Sequence, residues 1–322
     1  MKKLMFLAAL AFVATSCDDD APINQGYPEE NGELVAPALY MNVTTRNGNL
    51  PFTGVLSVAP CTEGTSIYYG NYVNQKLSPF YGYFFVEEGH LYDSDANRSI
   101  YLPTGAYDMI YWGTPKYEDP VYAYPAVRDP AYTIGGDLAE QDFTLLKMSE
   151  DTTYYPTYDL VYARRTVKVG EEDLDANLKR VVAGLKVIMK EKNGKVMDPG
   201  IANVEVRVTN IAEKLNAYTA EPHGESCTVA FPLVRSTDGL QMSNGTVMLF
   251  PSYGNPQLQF IISLQDGNTK RFSQTLKEPL KANDLLTLTV SIGDILEEEG
   301  SGDFTVDDWN ENSEEIDVPV LQ

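Results

Sequence analysis

From about Leu39 onward the chain is written in short segments that alternate apolar and polar residues, broken every few positions by Gly, Pro, Asn or Asp. Val181, Ala183, Leu185, Val187 and Met189 fall on one face of such a segment, with Arg180, Lys186 and Lys190 on the other. Val204, Val206 and Val208 alternate with Glu205, Arg207 and Thr209. The same period recurs in Leu258, Phe260, Ile262 and Leu264, and again in Leu286, Leu288, Val290 and Ile292. A period of two is that of a half-buried strand, since successive side chains leave a pleated backbone on opposite sides. Segments of this kind predict antiparallel sheets with one face in a core. Helical spacing is scarce: only Asp173–Leu178 and Ile211–Asn216 read as a turn or two of helix. No strand–helix–strand spacing supports a parallel doubly wound sheet. The expectation is an all-β chain of two antiparallel β-sandwich domains in tandem, residues 37–166 and 167–322. The join is expected near Val167–Asp175, where Gly170-Glu171-Glu172-Asp173 interrupts two strand-like stretches.

The first residues, MKKLMFLAALAFVATSC, carry two lysines, ten apolar residues from Leu4 to Val13, and then small residues up to Cys17. This is an export signal over residues 1–16, too short to span a bilayer. The cysteine after Ala14-Thr15-Ser16 resembles a bacterial lipobox, with Ala14 in place of the usual Leu. The resemblance implies cleavage between Ser16 and Cys17 and acylation of Cys17. Two or more acyl chains hold a protein on a membrane essentially permanently, at about 0.8 kcal/mol per buried methylene. The run Asp18-Asp19-Asp20 resembles the surface-export signal of Bacteroidetes lipoproteins, which implies an outer-membrane protein facing outward. Residues 17–36, rich in Asp, Glu, Pro and Gly without apolar periodicity, read as a flexible tether.

Charge and rare residues narrow the function. The 322 residues carry 46 acidic against 24 basic side chains, a net charge of −22. Nucleic acid needs a basic face to displace its counterions, so it is not an expected partner. Two histidines and three cysteines leave little for a His-based metal site or catalytic dyad. With Cys17 acylated, Cys61 and Cys227 could pair in an oxidising compartment or stay as separate buried thiols. Asp93-Ser94-Asp95-Ala96-Asn97 opens like a calcium loop, but Arg98 stands where Gly is needed and Thr104 where Glu is needed, so a polar turn is the better reading. Eleven acidic residues and no basic one lie between Asp294 and Asp317, a stretch read as solvated surface; Ile316-Asp317-Val318-Pro319-Val320 reads as a terminal strand open to a partner. Nucleophile-elbow, phosphate-loop and zinc-protease motifs are absent from the sequence, and no enzyme activity or cofactor is expected. Of the 21 tyrosines, 13 crowd two stretches, Tyr68–Tyr92 and Tyr117–Tyr158. They suit strand surfaces and core, and aromatic platforms for sugar rings or protein partners.

Four stretches taken in order resemble the fimbrillin superfamily of Bacteroidetes, and within it the anchor and minor-subunit lipoproteins of type V pili. They are Cys17-Asp18-Asp19-Asp20; Leu102-Pro103-Thr104-Gly105-Ala106-Tyr107-Asp108-Met109-Ile110-Tyr111-Trp112-Gly113; Asp159-Leu160-Val161-Tyr162-Ala163 with Leu178-Lys179-Arg180-Val181-Val182-Ala183-Gly184-Leu185-Lys186-Val187; and Val306-Asp307-Asp308-Trp309-Asn310. The resemblance implies transthyretin-like sandwiches and a place in a fimbria. Its pilin partners would be joined by completing an open sheet edge with an extended strand. In that superfamily an arginine-specific protease removes the first strand of polymerising subunits, and Arg46, just after the strand-like Leu39–Val43, is the matching position here. An anchor would have to escape that cut to stay joined to its lipid. A host or bacterial surface ligand is a further expected partner, and a glycan-binding lipoprotein of a polysaccharide-uptake system is the alternative reading.

Overall fold

The computed structural model describes residues 32–45, 48–73, 76–79, 83–92, 99–116, 121–148, 152–191, 194–292 and 309–315. Their named regular elements are all strands except for a 3-10 turn at Leu138–Glu140.

The end of the stretch expected as a tether is already strand, with Leu34–Val35 antiparallel to Leu102–Pro103. The chain then lays down β1 (Leu39–Thr45), β2 (Gly48–Pro51), β3 (Gly54–Thr62), β4 (Phe84–Glu87), β5 (His90–Leu91) and β6 (Gly105–Pro115). Two further strands, β7 (Val127–Arg128) and β8 (Asp142–Leu145), leave for a second sheet, and β9 (Val161–Val169) and β10 (Leu174–Arg180) return to the first. The first sheet is ordered β2-β1-β10-β9-β6-β3-β4-β5. Its neighbours are antiparallel except β1 and β10, which run parallel with Leu39 opposite Leu174 and Val43 opposite Leu178.

One apolar face of this sheet closes on itself. Leu39, Met41 and Val43 of β1 meet Leu56 and Val58 of β3, Phe84 and Val86 of β4, and Tyr107, Met109 and Tyr111 of β6, all buried. The sheet curls until its ends touch: Met41 N donates to Gly89 O at 2.8 Å, and Gly89 N donates to Phe52 O at 2.8 Å. Gly89 has φ +84°, and a Cβ there would stand 2.9 Å from the carbonyl oxygen of Met41, so both the turn and the closure need glycine.

The remaining strands are β11 (Ala183–Glu191), β12 (Ile201–Asn216), β13 (Pro222–Arg235), β14 (Gln241–Ser243), β15 (Val247–Leu249), β16 (Gln257–Leu264), β17 (Thr269–Thr275), β18 (Asp284–Ile292) and β19 (Trp309–Glu315). They form an eleven-stranded sheet with β7 and β8, in which β11 and β18 run parallel. The alternating segments read in the sequence are here: Leu185, Val187 and Met189 of β11 and Leu288, Val290 and Ile292 of β18 are buried in a second core. That core also takes in Ala59, Cys61, Ile110 and Trp112, the opposite face of β3 and β6. Strands β3 and β6 are therefore covered on both sides. Trp112 fastens the contact, donating Nε1–H to Ala217 O at 2.8 Å and packing on Phe143 and Tyr162 with centroids 4.4 and 4.9 Å away.

Several expectations change. Asp173–Leu178 and Ile211–Asn216 are strand, in β10 and β12, not helix. In each the apolar pair is four apart (Leu174 and Leu178, Ile211 and Leu215), a spacing that fits both a helix face and a strand face. Hydrogen bonding also crosses the division expected between 37–166 and 167–322: β9 and β10 carry the first sheet on to Arg180, while β7 and β8 belong to the second. The terminal strand is Trp309–Glu315, inside the acidic stretch read as solvated surface; Ile316, Asp317, Val318, Pro319 and Val320 lie outside the described residues.

Candidate functional site: the first strand, its hairpin and the sheet margins

The residues singled out for processing and anchoring are largely beyond description. Ser16, Cys17, Asp18, Asp19 and Asp20 lie outside the described residues, as do Arg46 and the calcium-like run Asp93–Asn97. What is described is the structure on both sides of Arg46. Thr45 pairs with Gly48, the last rung of the β1–β2 hairpin, and Thr45 Oγ1 donates to Gly48 O at 2.9 Å. Gly48 has φ +114°, and Thr44 Oγ1 bonds Asn49 Oδ1 at 3.1 Å. Arg46 thus follows directly on the last paired residue of β1.

Strand β1 is held on both edges, by β2 on one side and by β10 on the other. Side chains add to the second edge: Asn42 Nδ2 donates to Asn177 Oδ1 at 3.3 Å, and the backbone N–H of Ala38 donates to Asp173 Oδ1 at 3.1 Å. Leu39, Met41 and Val43 fill the first core. Burying each is worth about 1.5–3 kcal/mol, so β1 contributes roughly 5–9 kcal/mol of apolar burial. Its removal would leave a slot with three apolar positions and two unpaired strand edges, the shape an extended apolar-alternating peptide fills.

The other margins differ in how they are guarded. Edge strand β2 ends in Pro51, which has no N–H to offer, and β5 is two residues long. Edge strand β17 carries Lys270 and Arg271. Strand β19 closes the second sheet antiparallel to β18, from Val290 opposite Trp309 to Asp284 opposite Glu315. These devices discourage casual pairing at β2, β5 and β17.

Cys61 and Cys227 are free, buried thiols, and burial pushes each up to about 12. The tyrosines divide. Tyr68, Tyr69, Tyr107 and Tyr111 are core residues, whereas Tyr40, Tyr83, Tyr92 and Tyr124 are exposed. Not foreseen from the sequence is Asp129, whose Oδ2 accepts from Tyr83 at 2.6 Å and whose Oδ1 accepts from Tyr158 at 2.5 Å. Burial and the adjacent carboxylate push both phenols well above their ordinary range, so both remain donors. No cluster of three His, Cys, Asp or Glu suited to a metal occurs among the described residues, and no helix among them is long and apolar enough to cross a membrane.

The family model of the fimbrillin-A associated anchor proteins Mfa1 and Mfa2 matches residues 43–315. Among solved structures, the fimbrial anchor protein Mfa2 from Porphyromonas gingivalis superposes with a TM-score of 0.51 at 13% identity, over 85% of this chain and 95% of that one. A candidate cell adhesion protein from Bacteroides uniformis ATCC 8492 gives a TM-score of 0.49 at 12% identity, over 87% and 97% of the two chains. No protein of curated function matches the sequence.

Proposed function

The chain belongs to the family of fimbrillin-A associated anchor proteins, and on that premise we propose that it is a surface-exposed outer-membrane lipoprotein that holds a fimbria to the cell. Members of this family are fimbrial structural proteins rather than enzymes. In this reading Cys17 carries the acyl chains, the residues from Cys17 up to the short strand Leu34–Val35 lift the β body off the membrane, and the pilin is joined through strand complementation at a sheet margin.

The observation that supports the anchor reading is the family match over residues 43–315; the fold of the uncut chain shows what a cut after Arg46 would remove, namely β1. It is paired on both edges and contributes three buried side chains to the first core. A subunit that polymerises by accepting a strand in this slot must first lose β1, and with it the covalent path back to Cys17. A subunit that stays anchored must keep both. The segment Ile316 to Val320 is then the proposed contact for a pilin, since it follows in sequence on β19, the strand at the margin of the second sheet.

The test is the N-terminus and mass of the protein purified from cells. The anchor reading expects an acylated Cys17 and an uncut chain through Arg46, with Cys17→Ala releasing both protein and fimbriae from the cells. A mature chain beginning at Asn47 would overturn it in favour of a polymerising or tip subunit.

A further inference from the structure

The face of the first sheet that meets the second core is covered only along part of its length. Ala59, Cys61, Ile110 and Trp112 lie under the second sheet, but at the far end of β3 and β6 the cover stops. There Val55 stands opposite Phe85 on one side and Thr114 on the other. Phe85 and Tyr83 share a face of the chain around β4, because they are two residues apart. Tyr92 stands across from Phe85, its N–H donating to Phe85 O at 2.9 Å, and His90 lies two residues further along. The His90 ring meets Tyr40 edge-on, with centroids 5.1 Å apart at 80°.

The result is an uncovered row of rings: Tyr83 is 43% exposed, Phe85 58%, Tyr92 50% and Tyr40 44%. From strand spacings the row runs roughly 15–20 Å. Beside it Asp129 stands at the mouth of a cleft floored by Ser57, Trp112 and Phe143 and walled by Tyr132 and Tyr158. The cleft has about 40 Å³ of room, enough for a water molecule or two. Any ligand must therefore lie across the rings, with only a substituent reaching toward Asp129.

We propose that this aromatic row, with the Asp129 carboxylate at its end, is a binding site for a neutral glycan. Three features select that class. The exposed side chains of the row are aromatic, and ring faces suit the C–H face of a pyranose. Each oxygen of Asp129 accepts one tyrosine hydroxyl and keeps a lone pair for a sugar hydroxyl, so the rim is rich in acceptors, as a donor-rich polyol requires. Glu87, paired with His90 on the same hairpin, adds another acceptor. The protein's net charge of −22 repels sulfated or uronic chains, which leaves neutral ones. The site is independent of fimbrial anchoring and stands or falls separately from it.

The test is calorimetry on the mature lipoprotein in a sugar-free detergent, titrated with maltohexaose, cellohexaose, mannohexaose and chitohexaose, and with chondroitin sulfate. At least one neutral hexasaccharide is expected to bind at millimolar affinity or better. Phe85→Ala and Tyr92→Ala should each weaken it by about tenfold or more, and Asp129→Asn by a smaller factor. Tyr253→Ala, at an exposed tyrosine in the loop between β15 and β16, should leave binding unchanged. The row is exposed, so unchanged thermal melts should accompany these losses. The proposal is overturned if no neutral hexasaccharide binds, if Phe85→Ala and Tyr92→Ala bind as the parent does, or if chondroitin sulfate binds more tightly.

Discussion

Replacing Asp159 by Asn should unlock the joint between the two sheets. Arg180, the last residue of β10, donates Nε–H to Asp159 Oδ1 at 2.8 Å and Nη2–H to Oδ2 at 2.9 Å. The two side chains are only 1% and 2% exposed. Asn283 Oδ1 lies 3.4 Å from Nη1, and the backbone is tied across the same place, with Val181 N donating to Leu160 O at 3.0 Å and Asn283 N to Val182 O at 2.8 Å. A guanidinium does not give up its proton in a protein. Asp159→Asn therefore leaves a full positive charge in a dry site, at a cost of about 3–5 kcal/mol. Arg180→Met strands the carboxylate, with a loss in the same range. The pair Asp159→Leu with Arg180→Met puts two apolar side chains in the same volume and should return to within about 1–2 kcal/mol of the parent. The single changes are thus far from additive, with a coupling of at least about 4 kcal/mol, a large share of the 5–15 kcal/mol typical of a folded domain. Guanidinium denaturation followed by far-ultraviolet circular dichroism and tryptophan emission measures all four proteins. A loss under about 1 kcal/mol for Asp159→Asn at unchanged m-value would show that water reaches the pair and that the reasoning is wrong.

Other changes probe the two cores. In protein carrying Cys17→Ala, Cys61 and Cys227 should resist a thiol reagent at pH 8 while folded and react fully in denaturant, because burial holds both thiols up to about 12. The same shift makes stability pH-dependent. It is fully present below the ordinary thiol value near 9 and is lost as pH rises toward 12, because only the unfolded chain ionises there; denaturation midpoints at pH 8 and pH 10.5 check the sign. Tyr111 is wholly buried and its hydroxyl has no partner among the described residues, so Tyr111→Phe should raise stability by about 1–2 kcal/mol; a lower denaturation midpoint would reveal an undetected partner.

The sheet closure and the doubly covered strands could not be read ahead of the structure. Ala106 to Trp112 reads as a strand from its composition, yet nothing local says that Tyr107, Met109 and Tyr111 serve one core while Ile110 and Trp112 serve another. Leu174 and Leu178 satisfy two periodicities at once, and only pairing with β1, 135 residues earlier in the chain, makes the segment a strand. Asp129 has no motif around it; its tyrosine partners come from 46 and 29 residues away.

What the amino-acid order alone determined is the β class of the body and the placement of its long alternating strands such as β11, β12, β16 and β18, because alternation is a local property of a pleated backbone. The expected export signal and the candidate cleavage point after Arg46 are read for the same reason, being contiguous runs that need no fold. Tertiary structure alone decided which strands are neighbours, where the first sheet closes through Gly89, that β1 is locked on both edges, and that Tyr83, one of four exposed rings, meets Asp129. Those outcomes depend on hydrogen bonds and packing between residues far apart in the chain, and such pairings are chosen only when the whole apolar surface is buried together.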